Sequence, residues 1–343
     1  MKSVSALLLA SGLLFASHTD AAVCSVTKLT SFDAQLSSGR IVVDAMIEGQ
    51  PVKAMLDTGL PFNMISKALA EKLKLSTVSI EGPYVPGNIS WLAKNMAIPS
   101  LPPESVTMMD AAGGTPTRLA TVRQVAFGEI KTENTPFYVM GEASKEAPWP
   151  DVIFGATFLE TYDLELDLAH GKVNIFFPEH CPGSVVYWTN RFGVVPIKIM
   201  TDGHITVPVT VNGTETHAIL DTGAPLSLIS KLLAADSLGI DPVKDGDALE
   251  YVTEPSGARL PVYTHTFDSL IVGDAHFSRT PMGIAPDRLN SATKDMVHFP
   301  QRAIYYPTVI NTPVTLGMNH IQKLRLYFAF HDNLLYFTSA TQE

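Results

Sequence analysis

The chain has 343 residues, which at roughly 100–200 residues per domain suggests two domains. Its 46% hydrophobic and 17% charged residues indicate a packed core rather than a disordered chain. The net charge is −10, and neither sign forms a long run. Because a phosphate-binding surface needs clustered Lys and Arg, this charge argues against nucleic-acid binding.

The first 22 residues have the features of a secretory signal peptide. Lys2 precedes an apolar stretch, ALLLASGLLFA, and small residues follow at Ala21 and Ala22. The alternative is a buried N-terminal helix or strand. The apolar run is too short to span a bilayer, and no later segment is long enough, so we expect no stable membrane insertion. The mature chain is predicted to be exported, either periplasmic or secreted.

From residue 39 onward the chain contains the same sequence pattern twice. The segment GRIVVDAMIEGQPVKAMLDTG (39–59) aligns without a gap with GHITVPVTVNGTETHAILDTG (203–223). Both copies alternate apolar and polar residues and contain a central glycine, Gly49 or Gly213. This pattern predicts a β-hairpin whose second strand runs directly into an Asp-Thr-Gly triplet.

The similarity continues after each triplet. Both copies read DTG-x-P-x-x-x-I-S-K, followed by a short amphipathic stretch, a glycine-bearing turn, VAFG or LIVG, a proline-containing strand, and VIFG or VTLG. Gly155 matches Gly317, and Gly171 matches Asn333, another residue type that tolerates a left-handed turn. We therefore predict a mainly β protein with an N-terminal lobe (23–182) and a C-terminal lobe (183–343).

The residues around each triplet suit a tight, braced turn. Gly59 and Gly223 allow the backbone to turn sharply and to bring N–H groups close to a carboxylate. Thr58 and Thr222 provide hydroxyl groups that can tie the two turns together.

The two aspartates of the triplets are the candidate catalytic residues. If the lobes pack about a pseudo-two-fold axis, Asp57 and Asp221 meet there, share one proton and titrate as a coupled pair. Such a pair can activate a water molecule with one carboxylate and protonate a carbonyl oxygen with the other. The alternative is that each triplet is only a turn that stabilises the fold.

These motifs resemble those of the aspartic peptidases, specifically bacterial retropepsin-like domains fused in tandem, over nearly all of the mature chain. The resemblance implies a two-lobed acid-protease fold, in which two retropepsin-like β-barrel lobes bind a peptide or protein substrate in the cleft between them. It implies an aspartic endopeptidase that functions as a monomer and needs no cofactor or metal. It assigns catalysis to Asp57 and Asp221, and support of the active-site turns to Thr58, Gly59, Thr222 and Gly223.

One residue departs from the family pattern. Ala224, after the second triplet, fits the retropepsin form, whereas Leu60, after the first, fits neither the retropepsin nor the pepsin form. Leu60 could narrow the cleft or change how the Asp57 turn is supported. This departure motivates an alternative function, a non-catalytic member of the fold that binds a peptide or a protein.

The glycine-bearing turns are candidate flaps over the cleft. One lies at Gly113 and Gly114 in the N-terminal lobe, and the other at Ser256 and Gly257 in the C-terminal lobe. Two flaps would fit the retropepsin resemblance. The alternative is that both are ordinary hairpin turns.

The chain contains two cysteines, Cys24 and Cys181. Export to an oxidising compartment favours a disulfide between them over two unrelated buried thiols. The resemblance adds that each lobe contributes terminal strands to a shared interlobe sheet, so that the two cysteines would lie close together. The ten histidines show no paired-ligand spacing, which argues against a metal site. Isolated ones such as His217 and His320 are predicted to be surface or partly buried structural residues.

Overall fold

The structure, a computed structural model, describes residues 25–79, 118–140, 150–181, 183–200, 203–253, 259–286 and 313–341. The predicted signal peptide lies outside these ranges. No helix within the described residues is long and apolar enough to cross a membrane.

The N-terminal half is built mainly from strands. They are β1 (Lys28–Asp33), β2 (Gln35–Ser37), β3 (Arg40–Ile47), β4 (Gln50–Asp57), β5 (Met64–Ser66), β6 (Ser76–Ser79), β7 (Arg118–Phe127), β8 (Ile130–Met140), β9 (Val152–Gly155), β10 (Asp163–Asp167) and β11 (Lys172–Phe176). Between them lie helices α1 (Lys67–Lys72) and α2 (Ala156–Leu159) and a 3-10 helix, Leu168–His170.

The C-terminal half repeats this plan. Its strands are β12 (Gly193–Pro196), β13 (Lys198–Ile199), β14 (Ile205–Val211), β15 (Thr214–Leu220), β16 (Leu228–Ser230), β17 (Ala248–Thr253), β18 (Arg259–Val272), β19 (Ala275–Ala285), β20 (Val314–Leu316), β21 (Leu324–Ala329) and β22 (Leu334–Ser339). Its helices are α3 (Lys231–Asp236), α4 (Met318–Ile321) and a 3-10 helix, Phe330–Asp332.

Each half closes a six-stranded barrel. The N-terminal strands run in the order β3-β4-β9-β5-β8-β7, and β7 pairs back onto β3. The C-terminal strands run in the matching order β14-β15-β20-β16-β19-β18, and β18 pairs back onto β14. The protein is therefore mainly β with the two-lobed acid-protease fold, as the repeat predicted.

Local sequence signals explain where the repeated elements turn. The β3–β4 and β14–β15 hairpins turn through Gly49 and Gly213, which have φ angles of +75° and +82°. Such left-handed conformations are easily reached only without a Cβ atom. Gly171 and Asn333 have φ angles of +63° and +56°, which confirms the predicted equivalence of these two turns.

The repeated Ile-Ser-Lys sequence marks the start of a helix in each lobe. Ser66 caps α1 by accepting a hydrogen bond from the Leu69 N–H at 3.1 Å. Ser230 caps α3 by accepting one from the Leu233 N–H at 3.0 Å. Each cap satisfies a backbone donor that has no partner inside the helix.

A six-stranded sheet made from both halves joins the lobes. Its order is β1-β11-β10-β21-β22-β12, and β10 pairs with β21 at its centre through Leu164 opposite Phe328 and Leu166 opposite Leu326. The 23–182 and 183–343 boundaries remain predictions, although this sheet draws strands from both of those ranges.

The interlobe sheet also carries a buried ionic network. Asp163 and Glu165 on β10 are both 0% exposed. His180 lies 2.6 Å from Asp163, and Arg325 of the other lobe lies 2.7 Å from Glu165. Because a buried carboxylate without partners is costly, the Arg325–Glu165 ion pair helps to fix how the two halves meet.

Candidate active site

The structure brings Asp57 and Asp221 together at the interface of the barrels. Asp57 ends β4, and Asp221 directly follows β15. The two carboxyl groups lie close enough to share a proton, and each affects the pKa of the other. A Cβ atom added to Gly59 would overlap the carboxyl group of Asp221, and one added to Gly223 would overlap that of Asp57. Each triplet therefore needs glycine because the aspartate of the other lobe occupies the space beside it.

Backbone amides of the same turns hold the two carboxyl groups. The Gly59 N–H donates to Asp57 Oδ1 at 2.9 Å. Asp221 Oδ1 accepts from the N–H groups of both Gly223 and Ala224, each at 2.9 Å. Hydrogen bonds to a carboxylate stabilise its ionised form, so the second amide favours ionisation of Asp221.

Thr58 and Thr222 lock the two turns to each other. The Thr58 N–H donates to Thr222 Oγ1 at 3.0 Å, and the Thr222 N–H donates to Thr58 Oγ1 at 3.1 Å. Each hydroxyl group then donates to a carbonyl oxygen of the opposite lobe, Thr58 to Leu220 at 2.8 Å and Thr222 to Leu56 at 2.7 Å. These buried bonds are reciprocal, as expected for a pseudo-two-fold axis.

The environment separates the acidities of the two aspartates. Burial raises the pKa of Asp57 well above its usual value, and the charge of Asp221 raises it further. Burial also raises the pKa of Asp221, but the Gly223 and Ala224 amides oppose this rise. The additional amide on Asp221 therefore favours an arrangement in which Asp57 holds the shared proton and Asp221 is the ionised partner.

A basic residue flanks each aspartate from a matching position. Arg40 follows Gly39, His204 follows Gly203, and these glycines align in the repeat. The charge of Arg40 lowers the pKa of Asp57, and His204 lowers that of Asp221. Neither residue was predicted from the sequence, although the gapless alignment places them at equivalent positions.

A second loop packs behind each catalytic turn. A Cβ on Gly155 would lie 2.6 Å from the Leu60 carbonyl oxygen, and one on Gly317 would lie 2.8 Å from that of Ala224. The N–H groups that follow these glycines donate back to the turns, from Ala156 to Leu60 O at 2.8 Å in the N-terminal lobe. The VIFG and VTLG motifs thus brace the turns from behind.

The face of the N-terminal barrel that carries Asp57 is bulky. Side chains alternate between the faces of a strand, so Met55 shares the face of Asp57 while Leu56 points into the main core. Neighbouring strands extend this face as a row of side chains in register: Met55, Ile153, Met64, Tyr138 and Leu119.

The corresponding face of the C-terminal barrel is less bulky. The same register there gives Ile219, Thr315, Leu228, Gly283 and Thr264. Leu60 packs against the N-terminal row, whereas its counterpart is Ala224. Val262 covers Gly283, since a Cβ added there would lie 2.5 Å from its Cγ1 atom. The barrel faces that carry the two rows, here called the N-terminal and C-terminal walls, are therefore unequal in bulk.

Several predicted residues lie outside the described ranges. These are both candidate flap pairs, Gly113 with Gly114 and Ser256 with Gly257, and also Cys24. Cys181 takes part in a disulfide bond, and its predicted pairing with Cys24 stays a prediction. His217 is exposed as expected, but His320 is 0% exposed, so the prediction of a surface or partly buried residue was wrong for His320.

Two β-barrel lobes that bring a pair of aspartates together at their interface are typical of the aspartic peptidases. A sequence model described as "Aspartyl protease" matches residues 43–84 and 207–319. These matches, one in each half of the chain, support an aspartic peptidase family protein with two domains.

Two solved structures to which the chain is similar have low sequence identity to it. An aspartic proteinase from Irpex lacteus is 12% identical, with a TM-score of 0.50 over 91% of this chain and 98% of its own. Basic 7S globulin from soybean is 10% identical, with a TM-score of 0.47 over 93% of this chain and 96% of its own. No curated protein matches the chain by sequence.

Proposed function

We propose that the protein is an aspartic endopeptidase whose Asp57 and Asp221 hydrolyse peptide bonds in the cleft between the lobes. The observation that carries this proposal is the close pair of carboxyl groups itself, held by amides and locked by reciprocal threonine bonds. A turn that only stabilised the fold would gain nothing from two carboxyl groups placed together in a buried interface, because their repulsion and desolvation cost free energy.

The reaction follows from the unequal acidities of the pair. A water molecule bound between the carboxyl groups gives a proton to Asp221 as its oxygen attacks the carbonyl carbon of the peptide. Asp57 gives its proton to the carbonyl oxygen, which yields a neutral tetrahedral intermediate. The amide nitrogen then takes the proton from Asp221, the C–N bond breaks, and one hydroxyl group of the intermediate returns its proton to Asp57.

Activity should be confined to a window of pH. The pair is active only when it holds one proton, so cleavage falls below the lower and above the higher pKa of the pair. Both aspartates come from one chain, so we propose that a monomer suffices and that the substrate is a peptide or a protein. Export to the periplasm or the medium, inferred from the N-terminal sequence, is part of the same proposal.

The test uses the mature chain, residues 23–343, and a diverse peptide library at about pH 3 to 7. Mass spectrometry identifies the cut sites for the wild type, Asp57→Asn and Asp221→Asn. Asp44→Asn is the matched control, because the side chain of Asp44 is 81% exposed and pairs only with the exposed Lys53 among the described residues. We expect cleavage in the wild type and Asp44→Asn alone, with all four proteins folded by circular dichroism. Cleavage by either folded active-site variant would contradict the proposal.

The second candidate is a binding protein that does not cleave. Leu60 favours this candidate, because it stands where the other copy of the repeat has the small residue Ala224. Its side chain adds to the bulky N-terminal wall. This candidate predicts that the folded wild type binds library peptides by fluorescence anisotropy but releases no products at any pH.

A further inference from the structure

His320 is a completely buried histidine directly behind the catalytic turn of the C-terminal lobe. It is 0% exposed and lies in α4, which begins just after Gly317. Its Nδ1 atom is 2.7 Å from Ser227 Oγ, and its Nε2 atom contacts Thr280 Oγ1. Both ring nitrogens therefore meet hydroxyl groups that are themselves buried.

Ser227 links this histidine to the backbone. Its hydroxyl oxygen accepts the Gly317 N–H at 2.8 Å and lies 2.8 Å from Asn319 Oδ1. One assignment satisfies every group: Ser227 donates to Asn319 and accepts from Gly317 and from His320 Nδ1–H, while His320 Nε2 accepts from Thr280. The histidine thus completes the hydrogen bonding of a serine that has no access to water.

The segment held by Ser227 in turn holds the Asp221 turn. The Met318 N–H donates to Ala224 O at 2.8 Å, and the Asn319 N–H donates to Pro225 O at 3.1 Å. Ala224 is the residue whose own N–H donates to Asp221 Oδ1. Displacement of α4 would therefore move the second amide that stabilises the Asp221 carboxylate.

The N-terminal lobe does the same task with different chemistry. Asn63, the counterpart of Ser227, accepts the Gly155 N–H with Oδ1 at 3.1 Å. Phe158, the counterpart of His320, stacks on Phe154 with a ring centroid distance of 4.6 Å. Phe158 shows that an apolar ring is sufficient at this position of the N-terminal lobe. The loop that braces the catalytic turn therefore does not in general require a buried histidine.

We propose that His320 is a positioning residue that, through Ser227 and the backbone after Gly317, keeps the Ala224 amide on the Asp221 carboxylate and so favours ionisation of Asp221. The effect on cleavage that this inference predicts rests on the proposed function. The inference also predicts a property of the free protein, the acidity of Asp221.

Charged groups near Asp221 and His320 also affect the pKa values of these two residues. Asp57, Arg40 and His204 act on Asp221, and Lys323 acts on His320. Burial, assisted by Lys323, lowers the pKa of His320 to about 4, so the ring is neutral over most of the acidic range. A neutral ring donates at one nitrogen and accepts at the other, as the assignment above requires.

The experiment compares the wild type with His320→Phe, which installs the residue of the N-terminal lobe, and His320→Asn, whose shorter amide can still reach Ser227. Thr280→Val is a milder variant that removes only the contact at Nε2. Titration of the carboxyl carbon of Asp221 by NMR gives its pKa without any substrate. Where cleavage occurs, kcat and KM are measured against pH.

In His320→Phe we expect the pKa of Asp221 to rise by about one unit, because one amide donor is loosened. The acid limb of the pH profile should move up with it, and kcat should fall roughly tenfold to hundredfold with little change in KM. His320→Asn should restore the acid limb toward that of the wild type. Unchanged Asp221 titration in folded His320→Phe and Thr280→Val would overturn the inference. Absence of cleavage by the wild type would contradict the proposed function and leave this titration as the deciding result.

Discussion

Arg40 of the N-terminal lobe donates a hydrogen bond from Nε to the carbonyl oxygen of Gly223, 183 residues away, at 2.9 Å. The side chain therefore spans the interface and ends on the turn that carries the other aspartate. Burial lowers the pKa of Arg40, but the charges of Asp57 and Asp221 oppose this effect. One cation thus touches the backbone of one turn and acts electrostatically on the carboxyl groups of both.

Replacing Arg40 by Gln should move the active pH window upward. Loss of the positive charge raises the pKa of Asp57, so the dyad keeps its shared proton to a higher pH by about one unit. The measurement is kcat/KM against pH. Arg40→Lys retains the charge and should keep a window close to that of the wild type, whereas an unshifted window in folded Arg40→Gln would contradict the electrostatic role.

Removal of either locking hydroxyl should destabilise the protein. In Thr58→Val the Thr222 N–H loses its acceptor and the Leu220 carbonyl loses its donor, which should cost about 2–4 kcal/mol in the free energy of unfolding. Thr58→Ser retains the hydroxyl group and is the control. Urea denaturation measures both variants, and equal stabilities of the valine and serine variants would show that the hydroxyl bonds are not needed.

Leu60 and Ala224 offer a matched test of the unequal walls. Leu60→Ala should let larger substrate side chains bind beside the N-terminal lobe and raise their kcat/KM relative to small ones by about tenfold. Ala224→Leu should make the opposite change on the other side of the scissile bond. Cleavage profiles of a peptide library reveal both effects. If the two variants altered preference at the same substrate position, the assignment of walls would be wrong.

Glu160 should make the protein less stable as pH rises. Burial raises its pKa to about 7 from 4.5, and among the described residues its Oε2 atom has no hydrogen-bond partner. The folded state prefers protonated Glu160, so this stabilisation is complete below pH 4.5 and is lost as pH rises through 7. The full loss is about 3 kcal/mol.

Urea denaturation at about pH 5 and pH 8 checks this prediction. Glu160→Gln should lose less stability between the two conditions than the wild type does. Glu133→Gln, at an exposed position, should behave like the wild type. Equal pH dependence in all three proteins would show that Glu160 ionises without cost.

His320 should produce the opposite trend. Its pKa is lowered to about 4 from 6.5, so between these pH values His320 is protonated in the unfolded chain but neutral in the folded protein. Its stabilisation is present above pH 6.5 and is lost as pH falls toward 4. Thermal denaturation should therefore show a fall in Tm over this range that is absent in any His320→Phe protein that folds.

The repeat allowed much of the fold to be predicted because its signals are local. Gly49, Gly213, Gly171 and Asn333 mark turns that depend on their own backbone angles. Alternation around the triplets predicted the hairpins, and duplication of the triplets predicted that two turns of the same kind exist. The meeting of Asp57 and Asp221 followed only after a pseudo-two-fold axis was assumed.

The parts that sequence reasoning missed depend on contacts across long separations. Nothing near Arg40 indicates that it ends on Gly223, and nothing near His320 indicates hydroxyl groups on both sides of its ring. Histidines are on average intermediate in burial, so the expectation of a surface or partly buried residue was wrong for one that the fold encloses completely. Comparison of matched positions in the two copies would have singled out His320, since Phe158 is its counterpart.

Because both turns belong to one polypeptide, each matched position is encoded twice. In an assembly of identical subunits a single codon change would alter both sides of the cleft at once. Here Arg40 is matched by His204, and Leu60 by Ala224, so the two sides of the site carry different residues at matched positions. Residues of one wall can therefore be substituted while those of the other wall stay unchanged, so that the two walls can be compared within one molecule.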